Sequence, residues 1–181
     1  ALETLSQQGI SLVITVDCGI TAAAEVARAN KLGLDVIITD HHVPQNEIPP
    51  AEAVVDPKLP GSHASHDLAG VGVALKLLQA LLQGMGKGEQ INGLLDLVAL
   101  GTVADMMPLL GENRYFVSRG LKVANASPRL GIKEIMLSSG SNSANLDSEA
   151  ISWIIAPRLN AAGRISHAMN SYRLITTDSR T

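Results

Sequence analysis

The sequence is short of cysteine, of aromatic residues and of long apolar runs. Its one cysteine, Cys18, excludes an internal disulfide and a cysteine-based zinc site, which suits a reducing compartment. Aromatics make up 2% of the chain, namely Trp153, Tyr115, Phe116 and Tyr172, so platforms for stacking nucleobases are scarce. Apolar stretches are broken by Gly, Asp or Lys well before the roughly 18 residues that a membrane span needs, and no basic-then-apolar leader opens the chain. A cytoplasmic protein is the expectation. What is present is 46% hydrophobic content in 181 residues, enough to bury one substantial core.

Net charge is −3, which taken over the whole chain argues against a nucleic-acid partner. The average hides an asymmetry. Residues 1–112 hold 5 Lys+Arg against 13 Asp+Glu, whereas residues 113–181 hold 9 against 4. An acidic half suits cations and a basic half suits phosphates, although uneven solvated helix faces would read the same way.

Hydrophobic periodicity divides the chain. Up to about Pro57 the pattern alternates: a helix end over Ala1–Gly9, a strand over Leu12–Val16, a helix over Thr21–Leu32 with Thr21 as its cap and Gly33 as its stop, a strand over Val36–Thr39 and a short strand near Ala53–Val55. This is βαβ arithmetic. Val43–Pro50 and Asp56–Asp67 read as loops. Helices follow over Val71–Leu82, with Asp67 as a cap or a loop contact, then Ile91–Leu100, Asn113–Ala124, Ile132–Ser138 and, behind an Asp147 cap, Ser148–Ile155. Ser138–Asn145 is a polar linker. The fold expected is α/β, a parallel sheet flanked by helices, followed by a mainly helical half. Because the chain starts at Ala1 with a helix end and no complete strand before its first motif, it reads as a piece of a longer protein.

Two aspartates stand where apolar β-type runs stop, Asp17 in Val16-Asp17-Cys18-Gly19 and Asp40 in Thr39-Asp40-His41-His42. Ligands of parallel α/β sheets bind beyond the carboxyl ends of the strands, so these side chains should converge. Asp17 suits a metal or caps the next helix. In Asp40-His41-His42 successive residues of extended backbone point to opposite sides, so one imidazole can ligate while Asp40 orients a ring through its N–H. Asp105, at an apolar helix end in Gly101-Thr102-Val103-Ala104-Asp105, needs either a metal or local backbone as partner. Asp96 reads as structural, Cys18 as packed, and His63, His66 and His167 as solvated. Arg158, Asn160 and Arg164, in Pro157-Arg158-Leu159-Asn160-Ala161-Ala162-Gly163-Arg164, suit either phosphate oxygens or carboxylates between packed helices. Gly70-Val71-Gly72 offers backbone N–H groups to a phosphate or simply allows close packing.

Together, Val-Asp-Cys-Gly, Thr-Asp-His-His, Asp-Leu-Ala-Gly-Val-Gly-Val-Ala, Gly-Thr-Val-Ala-Asp and Ala-Pro-Arg-Leu-Asn-Ala-Ala-Gly-Arg closely resemble the DHH phosphoesterases. The last two motifs resemble the branch that degrades single-stranded DNA. The resemblance covers nearly the whole chain. It implies that residues 1–110 are the C-terminal part of a DHH domain and that 111–181 lead toward a DHHA1 domain. It also implies two-metal hydrolysis of single-stranded DNA from its 5′ end with Mn²⁺ or Mg²⁺, in DNA repair and recombination, with single-strand-binding protein or helicase partners. By that analogy Asp17 bridges both ions, and His41 and Asp105 bind one of them. His42 contacts the scissile phosphate, Asp40 supports these ligands or ligates weakly, and Arg164, Arg158 and Asn160 hold DNA phosphate. The family's Asp-rich first motif, its DHHA1 domain and its oligonucleotide-binding fold are not in this sequence, so the piece by itself is expected to bind metal weakly and to be inactive. Two alternatives stand beside the exonuclease: a nanoRNase or pAp phosphatase of the same superfamily, and an inactive scaffold with this fold.

Overall fold

The computed structural model describes residues 1–45, 47–62, 66–140 and 145–179. It forms two compact units. The first holds residues 1–88 with 111–113, and the second holds 89–110 with 114–181.

The first unit is a three-stranded parallel sheet with helices. Helix α1 (Leu2–Gln7) leads to β1 (Leu12–Val16), α2 (Ala23–Lys31), β2 (Asp35–Thr39), β3 (Ala53–Val55) and α3 (Gly70–Gly84). Strand order is β1-β2-β3, with Val16 beside Thr39 and Thr39 beside Val55, so all three strands finish at one edge. Central β2 is the most deeply buried strand. Val36 and Ile38 join Val26, Ala29 and Leu34 in the core, where Leu2, Leu5 and Val54 pack against them. Outer β1 buries none of its residues fully and leaves Leu12, Ile14 and Val16, side chains of one face, in solvent.

Helix boundaries differ in places from those the sequence suggests. Thr21 does not cap α2, whose first turn opens after Ala22 without a side-chain hydrogen bond. The N-cap position of α3, which starts at Gly70, is Ala69 and not Asp67, and no side chain caps that end. Gly33 does close the α2 end, with φ of +75°.

The second unit is helical. A 3₁₀ stretch (Gly88–Leu94) precedes α4 (Leu95–Ala104), replacing the single helix expected over Ile91–Leu100. Asn92 and Gly93 are poor helix formers, and the apolar run beyond Leu100 carries the helix on. Then come α5 (Gly111–Ala126), α6 (Leu130–Ser138), α7 (Ser148–Ala150), a π-helical turn (Ile151–Ile155), α8 (Ala156–Ile165) and α9 (Met169–Thr176). Helix α4 is apolar on nearly every side, and its Ala99, Leu100 and Val103 centre a core with Val117, Ile132, Ile135, Ile151 and Ile155. Helix α4 has no solvated face and packs among the helices of its own unit. Where α5 crosses α4, a Cβ on Gly120 would overlap the Leu95 carbonyl, so only glycine fits. Asp147 caps α7 by accepting the Ala150 N–H at 2.7 Å. The π turn sits just before Pro157, which has no N–H for the Trp153 carbonyl, and the hydrogen-bond ladder slips there. Part of the expected linker, residues 141–144, and His63 lie outside the described residues. Among the described residues no helix is long and apolar enough to cross a membrane.

Candidate metal centre

Each strand of the sheet ends on an aspartate. Val16 is followed by Asp17, Thr39 by Asp40 and Val55 by Asp56, and the in-register parallel pairing sets these three carboxylates along one edge. Asp17 leaves β1 in the left-handed region, φ +65°, while its N–H continues the ladder to the Thr39 carbonyl at 2.9 Å. Asp is among the few non-glycine residues that adopt this conformation at modest cost. The turn is completed by Gly19, φ +115°, and by the Thr15 hydroxyl, which donates to the Cys18 carbonyl at 2.7 Å. Cys18 itself is exposed rather than packed, because this turn carries it away from the core.

Asp40 is the anchor of the site. It is 1% exposed, and its carboxylate accepts the Ile20 N–H at 2.9 Å, the His41 N–H at 2.7 Å and the His42 N–H at 3.2 Å. The turn after β1 is thereby tied to the end of β2. Burial pushes the Asp40 carboxyl up, but the bonds from Ile20, the His42 ring and the His41 and His42 backbone together outweigh it and hold the pKa below the ordinary value. Asp40 is therefore an ionised acceptor. Its 2.7 Å contact with His42 Nδ1 then requires the proton on that nitrogen, which fixes the tautomer and aims the ring.

His41 is 5% exposed, with Nε2 at 3.1 Å from the Asp17 carboxylate, and its ring centroid lies 4.6 Å from that of the largely exposed His42. One donor atom from each of Asp17, His41 and His42 falls within 4.8 Å of the others. A carboxylate and two imidazoles form a donor set suited to a divalent ion such as Mn²⁺.

Two further residues shape this centre. Gly70, the first residue of α3, lies against Asp17: a Cβ there would overlap the Asp17 carboxylate, so the bare glycine makes the room. The positive end of the α3 dipole therefore meets a negative side chain. Asp56 is buried, its Oδ1 accepting the Lys58 N–H at 2.8 Å while its buried Oδ2 has no hydrogen-bond partner among the described residues. Burial raises its pKa, and the charge of Asp40 adds to the effect. The motif reading missed Asp56 although the signal was the same, an apolar run, Ala53-Val54-Val55, stopping on Asp.

The remaining candidates belong to the second unit. Asp105 ends α4 and is exposed, its N–H donating to the Gly101 carbonyl, so the buried charge that its apolar neighbours suggested is not there. Asp96 is structural, paired through both oxygens with Arg129 at 2.6 and 3.1 Å. Arg158 turns back to donate to the Ile154 carbonyl at 2.9 Å, while Asn160 and Arg164 line an open groove. Among the described residues neither Arg158 nor Arg164 pairs with a carboxylate.

The profile described as "DHH family, N-terminal domain" matches residues 2–102. The chain belongs to the DHH family. Among its relatives, the single-stranded-DNA-specific exonuclease RecJ of Bacillus subtilis (strain 168) is 46% identical over 179 residues, 98% of this chain. The RecJ of Escherichia coli (strain K12) is 39% identical over 184 residues, 95% of this chain. This DHH chain spans 22% of the first protein's length and 32% of the second's. A crystal structure of RecJ in complex with Mn²⁺ from Thermus thermophilus matches with a TM-score of 0.82 and 36% identity, over 98% of this chain and 27% of that one.

Proposed function

We propose that this DHH chain supplies part of the active site of a cytoplasmic, metal-dependent exonuclease. That enzyme hydrolyses the phosphodiester bonds of single-stranded DNA from the 5′ end, in DNA repair and recombination. The observation that carries the reading is the convergence of Asp17, His41 and His42 at the carboxyl ends of parallel strands. Relatives named for that activity, and a similar structure holding Mn²⁺, support it.

In this reading Asp17, as a shared ligand, and His41 would hold Mn²⁺ or Mg²⁺ ions, and Asp105 would be a further ligand. Such ions lower the pKa of a bound water and neutralise charge on attacking and leaving oxygens. His42, its Nδ1 proton committed to Asp40, offers Nε2 to a phosphate oxygen. Asp40 keeps that ring in place and stays ionised while doing so. Arg164 and Asn160 hold a phosphate of the strand, with Arg158 an outer contributor. Single-strand-binding protein or a helicase would be the protein partner.

The test is to offer the complete protein that contains this chain a 5′-labelled single strand of about 20 nucleotides, longer than a typical strand-binding site, and in parallel the dinucleotide pApA, with Mn²⁺. Stepwise shortening of the strand from its 5′ end is expected. Preference for the dinucleotide would mean a phosphatase of short substrates instead.

A further inference from the structure

The second unit carries an open groove of about 630 Å³ between the end of α4 and one face of the ribbon formed by the π turn and α8. Its lining includes Met106, Trp153, Pro157, Asn160, Ala161 and Arg164. Two features of its walls are unusual for a chain this poor in aromatics. Trp153, the chain's one tryptophan, is 76% exposed, although Ile151 and Ile155 on either side are fully buried and pin the π turn to the core. The indole is thus held outward by rigid neighbours rather than left on a loose end. Met106 is 90% exposed and in the left-handed region at φ +54°, a second non-glycine residue held there besides Asp17. Strain of this kind collects at functional sites, as π turns do.

We propose that this groove is a subsite for an unpaired nucleobase of a single strand, with Trp153 as the stacking platform and Met106 as a second apolar wall. Resting on the nuclease reading above, it adds to that reading a contact with the bases. The charge of the groove fits a nucleic acid strand: Arg164 has no carboxylate partner among the described residues, and Asn160 adds an amide on the same face. Trp153 and Arg164 are eleven residues apart on one helical ribbon, roughly 16 Å at 1.5 Å per residue. A base on the indole and a phosphate on the guanidinium therefore belong to different nucleotides, so a strand fills the groove and a mononucleotide does not. Stacking needs a base that is out of a duplex, and it tolerates any base because each has a π face. The groove would thus favour single strands without reading their sequence.

Trp153 is its own probe, since its emission is the chain's only tryptophan signal. The chain is titrated in EDTA, so that no strand is cut, with oligo(dT), with an abasic strand of equal length and charge, and with the mononucleotide dTMP. Oligo(dT) should quench the emission while the abasic strand and dTMP leave it unchanged. By anisotropy, oligo(dT) should bind about tenfold more weakly to Trp153→Ala, while Trp153→Phe keeps most of the affinity. Circular dichroism checks that both variants fold, as an exposed position allows. Equal affinity of Trp153→Ala and parent, equal affinity for abasic and normal strands, or no strand binding at all would overturn the subsite. Weakened binding in Arg164→Ala but not in Trp153→Ala would remove the stacking contact and leave the phosphate-binding nuclease standing.

Discussion

At the scale of single residues, Asp17 and Asp40 do different work from equivalent strand-end positions. Asp17 is exposed, strained and within reach of His41, the posture of a ligand, whereas Asp40 is buried under four hydrogen bonds and has no freedom to leave them. If Asp17 is the shared ligand of two ions, as proposed, Asp17→Ala in the complete protein should abolish strand cleavage at every Mn²⁺ concentration; recovery of rate at high Mn²⁺ would refute the shared role. Asp40→Asn keeps the shape but removes the charge that three backbone N–H groups and an imidazole share, and should destabilise the fold by about 3 kcal/mol near neutral pH. Because the Asp40 pKa is lowered by folding, its contribution is present above the ordinary aspartate range and is lost as pH falls through the lowered value. Denaturant unfolding of parent and Asp40→Asn should therefore differ at pH 7 and begin to converge only as pH falls below about 4. Asp56, raised instead, has the opposite sign: its cost is felt above its folded pKa and relieved in acid, in parent and variant alike.

At the scale of elements, the strands were plain in the sequence because a buried parallel sheet needs continuous apolar runs and because each run stops on a polar residue. Asp56 escaped notice because β3 is only three residues long and runs straight into Pro57, which reads as loop. The cap expected at Thr21 is not formed because a capping bond depends on where a turn begins to within one residue, which periodicity does not resolve. The role of Gly70 was invisible for another reason: Asp17 is 53 positions away, and no local pattern reports such an approach. Gly70→Ala tests it. Alanine favours a helix over glycine by roughly 0.5–1 kcal/mol, so α3 should fold at least as well. The new methyl nevertheless displaces the Asp17 carboxylate. Metal affinity, followed by calorimetry on the complete enzyme, should fall at least tenfold while the circular dichroism spectrum is kept.

At the scale of the whole molecule, charge is divided along the chain, acidic over residues 1–112 and basic over 113–181. The acidic first stretch contains Asp17, Asp40 and Asp56, and the basic remainder holds Arg164. If Arg164 neutralises a phosphate, Arg164→Ala should weaken strand binding, with a flatter dependence of log K on log salt by about one ion's worth, and leave Mn²⁺ affinity unchanged. Identical salt slopes would make Arg164 structural. The sheet carries one more consequence, for handling rather than catalysis. Leu12, Ile14 and Val16 present an apolar stripe on outer β1, whose backbone edge, unpaired among the described residues, has no lysine or proline to discourage pairing with another strand. Prepared as these 181 residues, the protein should self-associate with rising concentration in light scattering, and a charge at Ile14, as in Ile14→Lys, should restore a monodisperse solution.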